Sequence, residues 1–165
     1  MKSVIFDYYY NKKNEETGKG GLYTVSDADL KKALGENYIL ANTLTIDLVP
    51  SQESGVKEYT ADQKATFKKD IQDKVDKYNK GTAFDAIYKE VYGEEPQSNV
   101  QETEDLKTIY PKSAGVFSAE SSDATLYNLL KDKKAAKDFK YETAYLVGSE
   151  ESGQYSMAVI YDITK

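Results

Sequence analysis

The sequence predicts an α+β domain: a small, mainly antiparallel sheet of about four strands, surrounded by about four helices, with an N-terminal helical extension. Three observations carry this expectation. Between Tyr38 and Val49 apolar and polar side chains alternate with the period of a strand. Between Thr60 and Gly81 the apolar spacing changes to that of a helix, behind a capping sequence. From Gln154 to Thr164 the period-2 pattern returns after the turn-forming stretch Ser149 to Gly153, which makes a C-terminal hairpin. Consecutive helices beside a sheet closed by a hairpin favour antiparallel pairing.

The first 24 residues hold an aromatic cluster, Phe6 with Tyr8, Tyr9 and Tyr10, then a polar stretch in which Gly18, Gly20 and Gly21 read as a loop. That loop is no phosphate cradle, because it lacks a Gly-Lys-Ser/Thr ending and a preceding buried strand. Adjacent tyrosines face different ways, so Tyr8 to Tyr10 are expected to pack on a domain or partner outside this chain. Ser26 to Asp29 reads as an N-cap, with Leu30, Ala33 and Leu34 on one helical face and Gly35 as the terminator. In the strand that follows, Leu40, Leu44, Ile46 and Leu48 share one face, interrupted by Asn42. Ala41, Thr43, Thr45 and Asp47 share the other, so the strand reads as half-buried, and Pro50 stops it.

Thr60-Ala61-Asp62-Gln63 is a capping box. Phe67, Ile71, Val75 and Tyr78 then recur at helical spacing, predicting a helix over about 61–80 that ends at Gly81. Thr82 and Asp85 read as the cap of a second helix, with Phe84, Ile87, Tyr88 and Val91 as its stripe and Gly93 as its end. Glu94 to Glu104 is an acidic loop without the alternating Asp/Asn ligands of a calcium site. Gly115-Val116-Phe117 predicts a short strand. Ser121 to Asp123 caps a helix carrying Leu126, Leu129 and Leu130, with the polar stretch Lys131 to Lys140 continuing it, and Glu142 to Val147 predicts another strand.

Composition narrows the chemistry. The chain has 165 residues, 22 Lys+Arg against 28 Asp+Glu, a net charge of −6, no His, no Cys, no Trp and 15 Tyr. Every basic residue is a lysine. Serine–histidine and cysteine–histidine nucleophilic units are thereby excluded, as are Cys/His zinc sites, disulfides within the chain and arginine forks on phosphate. The acidic balance opposes binding to nucleic acid or to anionic membrane. The sequence holds no apolar run long enough to span a bilayer. No cofactor is expected.

The string from Lys80-Gly81 through Thr82-Ala83-Phe84-Asp85-Ala86-Ile87-Tyr88-Lys89-Glu90-Val91-Tyr92 to Gly93-Glu94-Glu95-Pro96 resembles the parvulin-type (rotamase) peptidyl-prolyl cis–trans isomerase domain. Ala114 to Phe117 is similar to a worn form of that family's Gly-Gly-Asp-Leu-Gly segment, and Tyr155 to Ile160 to its last strand. Val25 to Tyr38 resembles the connector that precedes such domains in secreted bacterial foldases. The resemblance spans roughly residues 25–165, and only the 80–96 string is fairly specific. It divides the chain into a connector, 1–35, and a parvulin-like domain, 36–165.

The family's active face carries two histidines, an intervening acid or thiol and an apolar proline pocket. Carried onto this chain, the histidine positions fall at Thr43 and Ala158 and the acid at Glu95. Phe117, Leu126, Leu130, Tyr155 and Met157 become, with Ala158, the candidate substrate-binding residues. With both histidines replaced, Thr43 and Glu95 remain as the candidate catalytic groups.

The resemblance thus implies an extracytoplasmic foldase or chaperone-like module that binds extended, unfolded or Pro-containing clients with weak or no isomerase activity. An active isomerase and a non-catalytic cell-surface interaction domain are the alternatives. It also implies export from a Gram-positive bacterium, as a secreted or lipid-anchored protein with a further N-terminal domain. Met1 to Asp7 is too polar for a signal peptide, so either the protein is cytoplasmic or such a signal or anchor lies outside this sequence.

Overall fold

The computed structural model describes residues 27–96 and 113–164. The Tyr8 to Tyr10 cluster, the glycine loop and the acidic stretch beyond Pro96 lie outside these residues. Along the chain come α1 (Asp27–Asn37), β1 (Ile39–Asp47), a single 3-10 turn (Gln52–Ser54), α2 (Ala61–Asn79), α3 (Phe84–Tyr92), β2 (Gly115–Phe117), α4 (Ala124–Ala135), β3 (Ala144–Ser149) and β4 (Gln154–Tyr161). The strands form one antiparallel sheet in the order β2-β1-β4-β3. The α+β layout expected from the sequence, four antiparallel strands with four helices including an N-terminal one, is the layout the chain adopts.

The centre of the sheet is the long pairing of β1 with β4, from Leu40 opposite Tyr161 to Asp47 opposite Gln154. On one face Leu44, Tyr155, Met157 and Val159 pack with Ile71 and Val75 of α2 and with Phe84 and Ile87 of α3. On the other, Ile39, Ala41, Val147, Ala158 and Ile160 pack against Leu126, Tyr127 and Leu130 of α4. The expected half-burial of β1 is therefore corrected for its first residues, which are covered on both faces. Alternation reveals which side chains share a face, but not whether a helix 80 residues later closes over the second one.

Most helix boundaries follow local chemistry. At α2 the Thr60 hydroxyl accepts from the Gln63 N–H while the Gln63 side chain accepts from the Thr60 N–H, so two orphan donors are satisfied reciprocally. The N-cap of α4 is Asp123, which accepts from the Leu126 N–H at 2.7 Å. Three boundaries differ from expectation. Helix α1 runs through Gly35 to Asn37, because side chains take its terminal carbonyls: Asn37 Nδ2 donates to the Ala33 carbonyl and Lys134 Nζ to the Gly35 carbonyl. Helix α3 is capped by Ala83 without a side-chain bond. The Thr82 N–H instead closes the end of α2 on the Lys77 carbonyl, so Thr82 belongs to the preceding turn. Helix α4 stops at Ala135, because Ala136 is extended and brings Phe139 back onto Tyr141 and Tyr145.

Two polar groups organise the sheet. The Asn79 carboxamide, at the end of α2, donates to the Ala144 carbonyl at 3.0 Å and accepts from its N–H at 2.9 Å. It thus stands in for a neighbouring strand at the outer edge of β3. Asn42, 1% exposed, donates from Nδ2 to the Tyr161 hydroxyl at 3.1 Å. Burial pushes the Tyr161 phenol upward, and Tyr78, Glu142 and Asp85 add to that shift. Tyr161 therefore stays a neutral hydrogen-bonding group at any physiological pH.

Candidate functional site

At the β2 side of the sheet, an open groove of about 360 Å³ lies between β1, β2 and the end of α3. Ala41 and Thr43 of β1, Gly115 and Phe117 of β2, Tyr88 of α3, and Glu94, Pro96 and Ser113 line it. Its shape follows from three local decisions. Strand β2 is only three residues long and pairs with β1 no further than Ala41 opposite Gly115. Just before it the Ser113 hydroxyl donates to Asp85 at 3.0 Å, drawing the chain away from β1 toward α3. At the far side Gly93 ends α3 with a φ of 78°, a left-handed conformation that favours glycine, and turns Glu94 and Pro96 toward the groove.

Helix α3 supplies an aromatic ladder from the core to this rim. Phe84, 6% exposed, meets Tyr88 at 6.2 Å between ring centres, and Tyr88 meets Tyr92 at 4.5 Å. The Tyr92 hydroxyl reaches the Thr45 carbonyl at 3.5 Å. Burial and the nearby Tyr88 and Asp47 hold the Tyr92 phenol above its ordinary value, opposed by the Thr45 contact. The groove therefore offers two aromatic faces, the hydroxyls of Thr43, Ser113 and Tyr88, and the Glu94 carboxylate. It can stack against and hydrogen-bond an extended chain, but none of its lining residues is a histidine or a cysteine.

The structure brings together two of the residues proposed from the sequence, Thr43 and Phe117. Glu95 points to Lys89, with which it forms an exposed ion pair at 3.3 Å, so the carboxylate lining the groove is the adjacent Glu94. The other five are taken up by the core. Leu126, Leu130 and Ala158 fill the contact between α4 and the sheet. Met157 and Tyr155 lie on the opposite face, under α2 and α3. Met157 and Ala158 are both 0% exposed, although neighbours in a strand face opposite ways, because helices cover both faces here. Those five therefore present little surface to a ligand. Ala41, Tyr88, Glu94, Pro96, Ser113 and Gly115 line the groove without having been singled out from the sequence as site residues. The signal for Tyr88 and Pro96 was present in the 80–96 string itself.

No protein-family model matches this chain, and neither a curated protein nor a solved structure matches it. Among the described residues no helix is long and apolar enough to cross a membrane.

Proposed function

We propose that this chain is a parvulin-type foldase module that holds extended, Pro-containing segments of unfolded clients in the groove between Thr43, Tyr88 and Phe117, outside the cytoplasm. The observation that carries this reading is the position of the groove. It opens at Thr43, where the resemblance places an active-face residue, and it is walled by Phe117, a residue assigned to the proline pocket. A trough with aromatic walls and a mainly polar lining suits a proline ring stacked between hydrogen-bonded peptide units.

Weak or absent isomerisation follows from the same residues. Turning an X–Pro bond requires crossing a barrier of about 18–20 kcal/mol of lost amide resonance, with no covalent bond made or broken. A site lowers that barrier only by binding the twisted imide more tightly than the planar one. Thr43 can contribute a hydroxyl, and Glu94 a negative potential, but neither replaces a pair of positioned imidazoles.

The reading is tested by two-dimensional NMR titration with an unfolded client and with short X-Pro peptides. Shifts should concentrate on Thr43, Tyr88, Gly115 and Phe117, and Phe117→Ala should weaken binding by about tenfold, as expected for loss of an aromatic wall. An exchange experiment on the same peptides should give cis–trans times close to the uncatalysed tens to hundreds of seconds. Absence of shifts at these four residues rejects client binding in the groove. Rapid exchange would make the module an active isomerase instead.

A further inference from the structure

Alternate residues of a strand turn their N–H and C=O groups toward opposite neighbours. In β1 the even-numbered residues face β4: just past the strand the Leu48 N–H donates to the Gly153 carbonyl at 2.8 Å, at the start of β4. The odd-numbered residues face the other way, as the approach of the Tyr92 hydroxyl to the Thr45 carbonyl shows. Ile39 and Ala41 spend these outward groups on β2. Among the described residues no strand continues that pairing, so the backbone groups of Thr43 and Asp47 and the Thr45 N–H lie along the line that β2 vacates, while the Thr45 carbonyl holds the Tyr92 hydroxyl, which an incoming strand would displace. The groove lies directly on this line.

Resting on the groove-binding reading above, we propose that the client is held by strand addition. An extended polypeptide would continue the line of β2 along the outer edge of β1 from Thr43 to Asp47, with its side chains alternately in the groove and away from it. This mode takes affinity from main-chain hydrogen bonds and is therefore tolerant of sequence, as a binder of unfolded chains must be. It also dictates where proline can sit. A proline has no N–H, so it fits only at positions whose nitrogen points away from β1.

The charge around the groove selects the client's flanks. Glu94 lines the groove, Asp85 holds its lining residue Ser113, and Asp47 ends the open edge in solvent. The nearby Lys89 is already paired with Glu95. The preferred occupant is accordingly a lysine-flanked, uncharged-centred segment, drawn in by long-range attraction that salt weakens.

The test uses the whole chain and a capped peptide of about eight residues, the length of an ordinary strand, with lysines at both ends and one central proline. A single N-methyl group is moved along its backbone and the dissociation constant is read at each position. Strand addition predicts a saw-tooth: losses of about tenfold or more at every second position and little change between them. Amide exchange of Thr43 and Thr45 should slow on saturation, while that of Leu44 and Ile46, already paired with β4, stays unchanged. A flat profile with unaltered Thr43 and Thr45 exchange, alongside persisting shifts at Tyr88 and Phe117, overturns strand addition and leaves groove binding standing. No binding at any position removes both. Replacing the flanking lysines by glutamates should weaken binding by several-fold at low salt, and tighter binding would overturn the charge assignment.

Discussion

Strand β1 has two halves with different fates. Ile39, Leu40 and Ala41 are 4%, 0% and 1% exposed, are paired on both edges, and lie between α4 on one face and a small cluster with Ala114 and Ile163 on the other. From Asn42 to Asp47 the strand keeps β4 on one edge but loses β2 on the other, and its odd-numbered residues grow polar and progressively exposed: Thr43, Thr45, Asp47. The closed half is a core element. The open half keeps its shape because β4 and the helical face hold it, while no described strand covers its outer edge. Sheet edges of this kind are usually blunted with charge or proline, and here Asp47 and Pro50 limit the open edge to a few residues.

The sharpest way to separate the halves is to damage each one. Leu40→Ala removes a fully buried side chain from the closed half and should cost about 2–5 kcal/mol, read as a lower urea midpoint at unchanged slope. Thr43→Ala in the open half should cost less than about 1 kcal/mol in the same measurement. Equal losses would show that the two halves are not energetically distinct.

A second, smaller effect concerns the opposite border of the sheet. The Asn79 carboxamide seals β3 at Ala144 from both backbone groups. Asn79→Ala should destabilise the fold by about 1–3 kcal/mol, the range for leaving buried polar groups unpaired. It should also accelerate exchange of the Ala144 amide while leaving Thr43 and Thr45 unchanged. Unchanged Ala144 exchange would mean that water serves that edge equally well.

The smallest effect lies on the helix pair that positions the groove wall. Glu90 of α3 meets Lys74 at 2.9 Å and Lys77 at 2.7 Å, both on α2. Hydrogen bonds from Lys77 and then Lys74 lower its carboxyl from 4.5 to about 2. A lowered value in the folded state means stability that is present above pH 4.5 and is lost as pH falls toward 2. The difference in melting temperature between the native protein and Glu90→Gln should therefore be present at pH 6 and vanish between pH 4.5 and 2. It should also shrink in high salt, since the pair is solvent-accessible. A difference independent of pH would show that the ion pair contributes nothing through its charge.

Reading the chain in one dimension succeeded wherever the cause was local. Thr60 and Gln63 specify the start of α2, Asp123 specifies that of α4, and the glycine at 93 ends α3. Failures came where a distant residue intervened. Gly35 looks like a terminator, yet Lys134 and Asn37 take up the helix-end carbonyls and α1 continues. Val91 fits the apolar stripe of α3, yet it is 38% exposed, because no described element packs over that part of the helix. The site divides in the same way. Thr43 and Phe117 line the groove and lie where the family-like pattern points. Met157, Ala158, Leu126 and Leu130 looked equally suitable, since an apolar residue in a pocket and one in a core have the same signature in sequence.

The amino-acid sequence by itself determined the element order, the antiparallel hairpin, the capped helices and the absence of histidine and cysteine chemistry, because each depends on residue identity or on spacing within a few turns. Only the tertiary structure decided which apolar side chains remain open to a ligand, that Glu94 rather than Glu95 meets the groove, and that among the described residues no strand pairs with β1 beyond Ala41 on its β2 side. Those outcomes depend on how far β2 runs and where α3 ends in space. The contacts that set both, Ser113 with Asp85 and Tyr92 with Thr45, join residues 28 and 47 positions apart.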